Sequence, residues 1–181
     1  FVPQALAELL CAAGDCVVLI PATLQPGKGQ RQAVEAASRL GDAPRPVLWA
    51  LAGGEHYQFP GFRAELEREI RARGLEERFR LLGHRDDMPR LLAAADLVAL
   101  PSVLAEGLPC AIMEALAAGR PVVASRIGGI PEAVDEEVGL LVPPGDAPAL
   151  AEAVRRLSAE ADLCRRLGLA ARERAKASPG L

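Results

Sequence analysis

Aromatic residues form only 3% of this 181-residue chain, although half of its residues are hydrophobic. The core must therefore consist mainly of Ala, Leu and Val. No basic patch carries interleaved aromatic rings, and the formal net charge is −3, which argues against nucleic-acid binding. No apolar run approaches the ~20 residues of a membrane-spanning helix, and no signal peptide is visible. The length fits a single domain, residues 1–181, with its own core.

Cysteine and lysine are also rare. The cysteines are Cys11, Cys16, Cys110 and Cys164. None forms a C-x-x-C pair, and their spacing relative to His56 and His84 fits no zinc pattern. We therefore expect no metal site, and reduced, mostly buried thiols in a cytosolic protein. Lys28 and Lys176 are the only lysines among 21 basic residues, so a lysine in a loop is unusual for this chain.

Short apolar runs alternate with helical patterns along the chain. The predicted strands are residues 16–20, 47–52, 79–82, 96–100, 121–124 and 139–142. The predicted helices are residues 30–40, 64–73, 88–94, 109–118, 131–134, 147–157 and 159–176. Continuous apolar strands between helices indicate a parallel sheet that is covered on both faces. The pattern predicts an α/β fold, a doubly wound Rossmann-like sheet of about six strands.

Two glutamates follow the fourth predicted strand. Glu106 lies in a Gly/Pro loop, and Glu114 lies eight positions later in a helix. A helix carboxylate can accept hydrogen bonds from ribose hydroxyls, and a loop carboxylate can stabilise positive charge that develops on a transferred group. The amides of Gly107 and Leu108, beside a helix N-terminus, suit a phosphate. By spacing alone, the two glutamates could equally be solvated surface residues.

A second candidate loop follows the first strand. Here Lys28 lies between two glycines at the entrance to a helix, where it could contact a diphosphate. The loop is not a P-loop, because no Ser or Thr follows the lysine and the glycine spacing differs. Taken alone, Lys28 could also be a solvated loop residue.

Other strand ends carry weaker candidates. His84 and Arg85 could face a ligand, and we expect Asp86 or Asp87 to cap the next helix. Glu132 follows a Gly-Gly loop, where it could complement a helix dipole or contact a ligand. The charged residues 63–80 are typical of a solvated helix face. All candidate ligand groups follow strands, so a parallel sheet would bring them to one edge.

An ordered set of segments spans residues 21–157. These are PGKGQ, LLGHRDDMPRLLAAADLVALPS, EGLPCAIMEALAAGRPVVAS, GGIPEAV and GLLVPPGDAPALAEAV. By this set the chain resembles the C-terminal domain of a GT-B fold glycosyltransferase of the retaining family 4 (group 1) type.

The resemblance implies roles for the matching residues. Lys28 would contact the donor diphosphate. Glu106, the first glutamate of the family's E-x(7)-E element, would act beside the donor sugar, and Glu114, the second, would bind the ribose. The backbone amides of Gly107 and Leu108 would meet the phosphates or sugar hydroxyls.

The backbone near Arg85 would lie close to the base. Such enzymes retain the anomeric configuration, and they are described by a front-face mechanism in which the leaving diphosphate helps to deprotonate the acceptor. The resemblance implies no metal and no cofactor, the substrate being a nucleoside diphosphate sugar such as a UDP-, GDP- or ADP-sugar.

The chain departs from the family pattern in two ways. Family members often have an arginine before the lysine that also contacts the diphosphate, and here Thr23 replaces it. An N-terminal acceptor domain is also absent from the chain, so we expect the isolated chain to be inactive. The partners would be a nucleotide-sugar donor and that missing domain. We expect a cytoplasmic protein, with any association with the inner face of the membrane made through the missing part.

Three alternative functions compete with that of a donor-binding half of a glycosyltransferase. A GT-B type nucleotide-sugar epimerase matches the later segments less well. Thr23 favours a degenerate, non-catalytic binding module. The presence of both Glu106 and Glu114 argues against it, because a module that no longer binds the donor has no reason to keep them. A dinucleotide-dependent oxidoreductase is disfavoured because no G-x-G-x-x-G follows the first strand.

Overall fold

The computed structural model describes residues 14–41, 43–104 and 107–177. Its strands are β1 (Cys16–Pro21), β2 (Val47–Ala52), β3 (Phe79–Gly83), β4 (Leu97–Leu100), β5 (Val122–Ser125) and β6 (Gly139–Val142). Its helices are α1 (Gln30–Arg39), α2 (Phe62–Ala72), α3 (Met88–Ala94), α4 (Cys110–Ala117), α5 (Ile130–Ala133), α6 (Ala147–Ala159) and α7 (Ala161–Ala177). The predicted ends of each element differ from the observed ends by no more than two residues.

The strands form one parallel sheet in the order β3-β2-β1-β4-β5-β6. This confirms the predicted Rossmann-like fold. The strands are apolar along their length because both faces of the sheet are covered. β2 shows this most clearly, since all six of its residues are buried.

Side chains alternate between the two faces of each strand, and the helices divide in the same way. Val18 and Ile20 of β1 face a core shared with α1, α2 and α6. Val17 and Leu19 face the opposite core, which is shared with α3, α4 and α5. Helix α7 contributes to both cores at one end of the sheet. The two apolar layers hold the strand ends, and therefore the loops that follow them, in fixed positions.

The prediction of a solvated helix face over residues 63–80 is confirmed only for α2, which ends at Ala72, because Phe79 and Arg80 begin β3 and Phe79 is buried. On α2 and its C-cap residue, Arg63 pairs with Glu67 and Arg73 pairs with Glu69 at helical spacing, and all four side chains retain solvent exposure. Among the described residues, no helix combines the length and the apolar character needed to cross a membrane.

Candidate functional site

The strand order creates a switch point between β1 and β4. The chain moves from β1 toward β2 and β3 on one side, and from β4 toward β5 and β6 on the other. The loops after β1 and β4 therefore leave the sheet beside each other and diverge. A crevice of this kind at the carboxyl ends of parallel strands is where open α/β sheets bind ligands.

The loops after β1 and β4 are in direct contact. The Val103 N–H donates to the Gly27 carbonyl oxygen, 3.0 Å away. A Cβ atom on Gly29 would lie 1.9 Å from the Pro101 oxygen, and Gly29 has a φ of +76°. Both the close approach and the positive φ require glycine here. The structure thus brings together two loops that the sequence places about 75 residues apart.

Lys28 ends a short 3-10 turn at this junction, immediately before α1. Its side chain is half-buried. The N-cap of α1 is Gly29, which has no side chain to bond the first amides of the helix. A cation and a helix N-terminus without a side-chain cap therefore lie at the same point, which suits an anionic group.

Thr23, the residue in the place of the family's arginine, is exposed on the same loop. Its hydroxyl accepts a hydrogen bond from the Gln25 side-chain amide, at 3.1 Å. The loop is held from its other side by the segment that follows β2, since the Leu24 N–H donates to the Gly54 oxygen and the His56 N–H donates to the Leu24 oxygen.

Gln30 is a component of the site that sequence reasoning missed. Its side chain is fully buried, and its Nε2 donates to the Thr23 carbonyl oxygen at 2.8 Å. Its Oε1 is buried with no hydrogen-bond partner among the described residues. Its position in the sequence is the signal that could have identified it, because Gln30 shares the buried face of α1 with Ala33, Val34 and Ala37. A glutamine in the place of a core residue commonly supports neighbouring backbone.

The loop after β4 carries the other predicted anion contacts. Gly107 and Leu108 lie just before α4, which begins at Cys110 with Pro109 as its N-cap. Their backbone packs on the loop after β5, because a Cβ on Gly129 would lie 3.0 Å from the Leu108 nitrogen. Glu106, the predicted group beside the donor sugar, lies outside the described residues.

Glu114 is exposed on α4 and lines an open groove of about 460 Å³ between α3 and α4. The opposite wall includes Met88, Pro89 and Leu92. Since Met88 follows Arg85 by three residues, the structure places the predicted ribose ligand beside the segment predicted to lie near the base. The lining is mostly apolar apart from Glu114 and Arg120.

Arg85 forms an ion pair with Asp87 in its own turn. Its Nε and Nη2 donate to the two carboxylate oxygens of Asp87, each at 2.8 Å. These bonds lower the pKa of Asp87 and raise the pKa of Arg85. Asp87 is the N-cap residue of α3, yet its side chain makes no cap hydrogen bond. Our prediction that Asp86 or Asp87 caps this helix is therefore wrong for the side chains, because Asp86 pairs with His84 and Asp87 with Arg85.

The predicted thiol environments are confirmed in part. Cys16 is buried and Cys164 is half-buried, but Cys110 is exposed at the start of α4. All three are free thiols, and Cys11 lies outside the described residues. The described residues contain no group of three or more His, Cys, Asp or Glu that could hold a metal ion.

The comparisons with known proteins agree with this geometry. Residues 15–160 match the family model of the group 1 glycosyl transferases. The chain is 38% identical over 158 residues to the amylovoran biosynthesis glycosyltransferase AmsK of Erwinia amylovora, covering 81% of this chain and 37% of AmsK. It superposes on Anabaena HepE, solved in complex with UDP, with a TM-score of 0.88 at 31% identity, covering 96% of this chain and 46% of HepE.

The fold also matches the C-terminal domain of a group 1 family glycosyl transferase (LpcC) from Francisella tularensis, with a TM-score of 0.80 at 24% identity. That match covers 92% of this chain and 87% of the domain. The chain thus spans under half the length of AmsK and HepE but most of an isolated C-terminal domain. The chain belongs to the group 1 glycosyltransferase family, and its fold is that of a Rossmann-like domain of a GT-B glycosyltransferase.

Proposed function

We propose that this chain is the donor-binding half of a retaining glycosyltransferase of the family 4 type. The full protein would transfer a hexose-type sugar from a nucleoside diphosphate sugar to an acceptor. The observation that carries the proposal is the junction at the switch point, where the loop that holds Lys28 contacts the loop that leads to Glu114. The UDP and UDP-glucose complexes of HepE support a nucleotide-sugar ligand.

The diphosphate would lie over this junction. Lys28 would supply a positive charge, and the first amides of α1, which have no side-chain cap, would supply donors. The amides of Gly107 and Leu108 would donate further hydrogen bonds from the loop after β4. Because these groups provide the charge that the leaving diphosphate needs, we propose that transfer requires no metal and no cofactor.

The nucleoside would extend into the groove between α3 and α4. Glu114 would accept hydrogen bonds from the ribose hydroxyls, and the base would lie near the backbone of residues 84–88. The bidentate pair between Arg85 and Asp87 holds this turn in one conformation, so Arg85 would act through the backbone that it positions rather than by direct contact.

At the reacting centre, we propose a front-face reaction. The bond between the anomeric carbon and the diphosphate oxygen breaks, and that leaving oxygen takes the proton of the acceptor hydroxyl. The acceptor oxygen then bonds to the same face of the sugar. Glu106 would stabilise positive charge that develops on the sugar.

The acceptor would be bound by an N-terminal domain in the remainder of a longer protein. The relatives support this, since the chain spans 37% of AmsK. We propose that the full protein acts in the cytoplasm, that any contact with the inner face of the membrane is made outside this chain, and that the isolated chain does not transfer sugar. Turnover of a nucleotide sugar by the isolated chain would contradict the last point.

A non-catalytic binding module is the second candidate. The observation that favours it is Thr23, whose hydroxyl is already bonded to Gln25 and which carries no charge. Both candidates predict nucleotide binding, but they differ in turnover. Slow hydrolysis of the donor sugar by the full-length protein, abolished by Glu106→Gln, would support the enzyme, whereas binding with no turnover would support the module.

Calorimetric titration of this chain with UDP, GDP and ADP tests donor binding. We expect one nucleotide to bind, and Glu114→Ala to weaken its binding about tenfold through loss of charge-assisted hydrogen bonds. Glu152→Ala is a matched control, since Glu152 is an exposed glutamate on α6. Equal affinity of the Glu114→Ala variant would contradict the assigned role.

A further inference from the structure

A second cavity lies at the opposite end of the sheet from the candidate donor site. Its volume is about 360 Å³. Arg45, Asp96 and Arg120 line it from segments that precede β2, β4 and β5, so it lies at the amino ends of the strands. The other wall is one face of α7, from Ala161 to Arg172.

The cavity is strongly basic in a chain whose formal net charge is −3. Four arginines line it: Arg45, Arg120, Arg165 and Arg172. Asp96 is the one acidic lining residue, and its Oδ2 accepts the Val17 N–H at 2.8 Å and pairs with Arg45 at 3.6 Å. The negative charge of Asp96 is thus largely compensated by Arg45, whereas the other three arginines meet no acid within the cavity.

Guanidinium donors remain available around this cavity. Arg172 makes no hydrogen bond or ion pair with any described residue. Arg120 donates from Nη2 to the Ala93 oxygen at 2.9 Å, and its Nε is buried, so only the rest of its guanidinium can meet a ligand in the cavity. Arg165 pairs with Asp162, whose side chain is 95% exposed, so water and salt screen this pair strongly. Each arginine can supply several planar donors to one oxyanion.

The backbone makes the wall rigid and adds a favourable dipole. The 17-residue helix α7 begins at Ala161, which itself lines the cavity, so the positive end of the helix lies there. Further along, a Cβ on Gly168 would lie 2.5 Å from the Gly119 oxygen. This close approach fixes α7 against the turn that carries Arg120.

We propose that this cavity binds a phosphate-type anion, either a soluble phosphate monoester or the headgroup of an anionic lipid. Arg120, Arg165 and Arg172 would share the phosphate oxygens, while Arg45 remains bound to Asp96 and to the Gly14 and Asp15 backbone oxygens. The volume is within the range of small-ligand pockets. The inference does not rest on donor binding, because the cavity lies at the opposite end of the strands from the proposed diphosphate site, although Arg120 also lines the groove between α3 and α4.

Titration of the ¹⁵N-labelled chain with inorganic phosphate, followed by NMR, locates the binding site directly. We expect saturable shifts at the amides of Gly119 and Gly168. Shifts confined to Gly29 and Gly107 would mean that phosphate binds only the donor site, and they would overturn the proposal. No saturable shift at any amide would overturn it equally.

Arginine variants test which side chains bind the anion. We expect Arg172→Gln and Arg120→Gln each to weaken phosphate binding about tenfold, as expected for loss of a charge-assisted hydrogen bond. Arg68→Gln, a matched change of an exposed arginine on α2, should leave the affinity unchanged. Because Arg172 has no partner to lose, its variant should fold normally, and unchanged phosphate affinity in it would contradict the proposal.

Vesicle sedimentation distinguishes the two sources of phosphate. Binding to phosphatidylglycerol vesicles but not to phosphatidylcholine vesicles, lost in Arg172→Gln, would identify a lipid headgroup. Arginine-dependent shifts with inorganic phosphate and no vesicle binding would identify a soluble phosphate monoester. Vesicle binding that persists in Arg172→Gln, together with no phosphate shift, would overturn the proposal.

Discussion

Gln30 donates a hydrogen bond from its buried side-chain amide to the backbone oxygen of Thr23, 2.8 Å away. The bond spans the loop that contains Lys28, so it fixes the conformation of the candidate diphosphate contact. Gln30 therefore joins the core of the domain to the candidate site without facing the ligand.

We predict that Gln30→Met weakens nucleotide binding but changes the free energy of unfolding little. Methionine has a similar length but no donor, and it also removes the buried Oε1 that has no partner, so the free energy of unfolding should change by no more than about 1 kcal/mol. The released loop should weaken nucleotide binding roughly fivefold, or about 1 kcal/mol. Calorimetry and denaturant unfolding measure the two effects, and unchanged nucleotide affinity would contradict the role of Gln30.

Lys28→Ala should weaken nucleoside diphosphate binding about tenfold or more, because a charge-assisted hydrogen bond to the phosphates is lost. The matched control is Lys176→Ala near the end of α7, which should leave affinity unchanged. The effect of Lys28→Ala should shrink at high salt, where phosphate contacts are screened. Equal affinities of the two variants would show that Lys28 does not contact the diphosphate.

Thr23→Arg should tighten nucleoside diphosphate binding about tenfold, since it restores a cation to an exposed position on the donor loop. Thr23→Gln is the neutral control for side-chain length, and it should give a smaller gain. If titration shows no gain for the arginine variant, the loop does not direct residue 23 toward the phosphates.

Gly29→Ala should destabilise the fold by about 2 kcal/mol or more, because the methyl group would clash with the Pro101 oxygen and φ is positive. Gly54→Ala is the matched control, since its Cβ would meet only the His84 Cβ at 3.8 Å. Denaturant unfolding compares the two variants. Similar small losses in both would contradict the tight contact between the loops after β1 and β4.

The thiols should differ in reactivity and in their effect on stability at high pH. Burial, followed by the charge of Asp96, raises the pKa of Cys16 from 9.0 to about 12. The folded protein therefore favours the neutral thiol. This contribution to stability is fully present below about pH 9 and is lost as the pH rises toward about 12.

We accordingly expect iodoacetamide at pH 8 to alkylate exposed Cys110 at least about tenfold faster than Cys16, as followed by mass spectrometry of the digested protein. Cys16→Ala should flatten the fall in stability above pH 9. Comparable labelling rates for the two thiols would show that Cys16 is accessible in the folded protein.

The fold was predictable because its helices and strands have strong local signals. β2 and β6 are continuous apolar runs, and α3 begins beside a proline, so their predicted ends coincide with the observed ends. The site loops were predictable too, since ligand groups in an α/β fold follow strands. The order of the strands could not be predicted from periodicity, because lateral neighbours depend on packing between distant segments.

The finer details of the site depend on contacts that sequence spacing does not reveal. Asp87 was expected to cap α3, but two charge-assisted bonds to Arg85 outcompete one bond to a backbone amide. Gln30 was not predicted because its partner is a backbone oxygen seven residues earlier. A polar residue on the buried face of a helix is the signal that would have identified it.

The central claim is that the donor nucleotide lies across the junction of the loops after β1 and β4. A crystal structure of this chain with the nucleoside diphosphate that it binds tests this claim most directly. The account predicts the diphosphate beside Lys28 and the amides of Gly107 and Leu108, with the ribose hydroxyls on Glu114. A nucleotide bound elsewhere, such as in the arginine cavity at the amino ends of the strands, would contradict it.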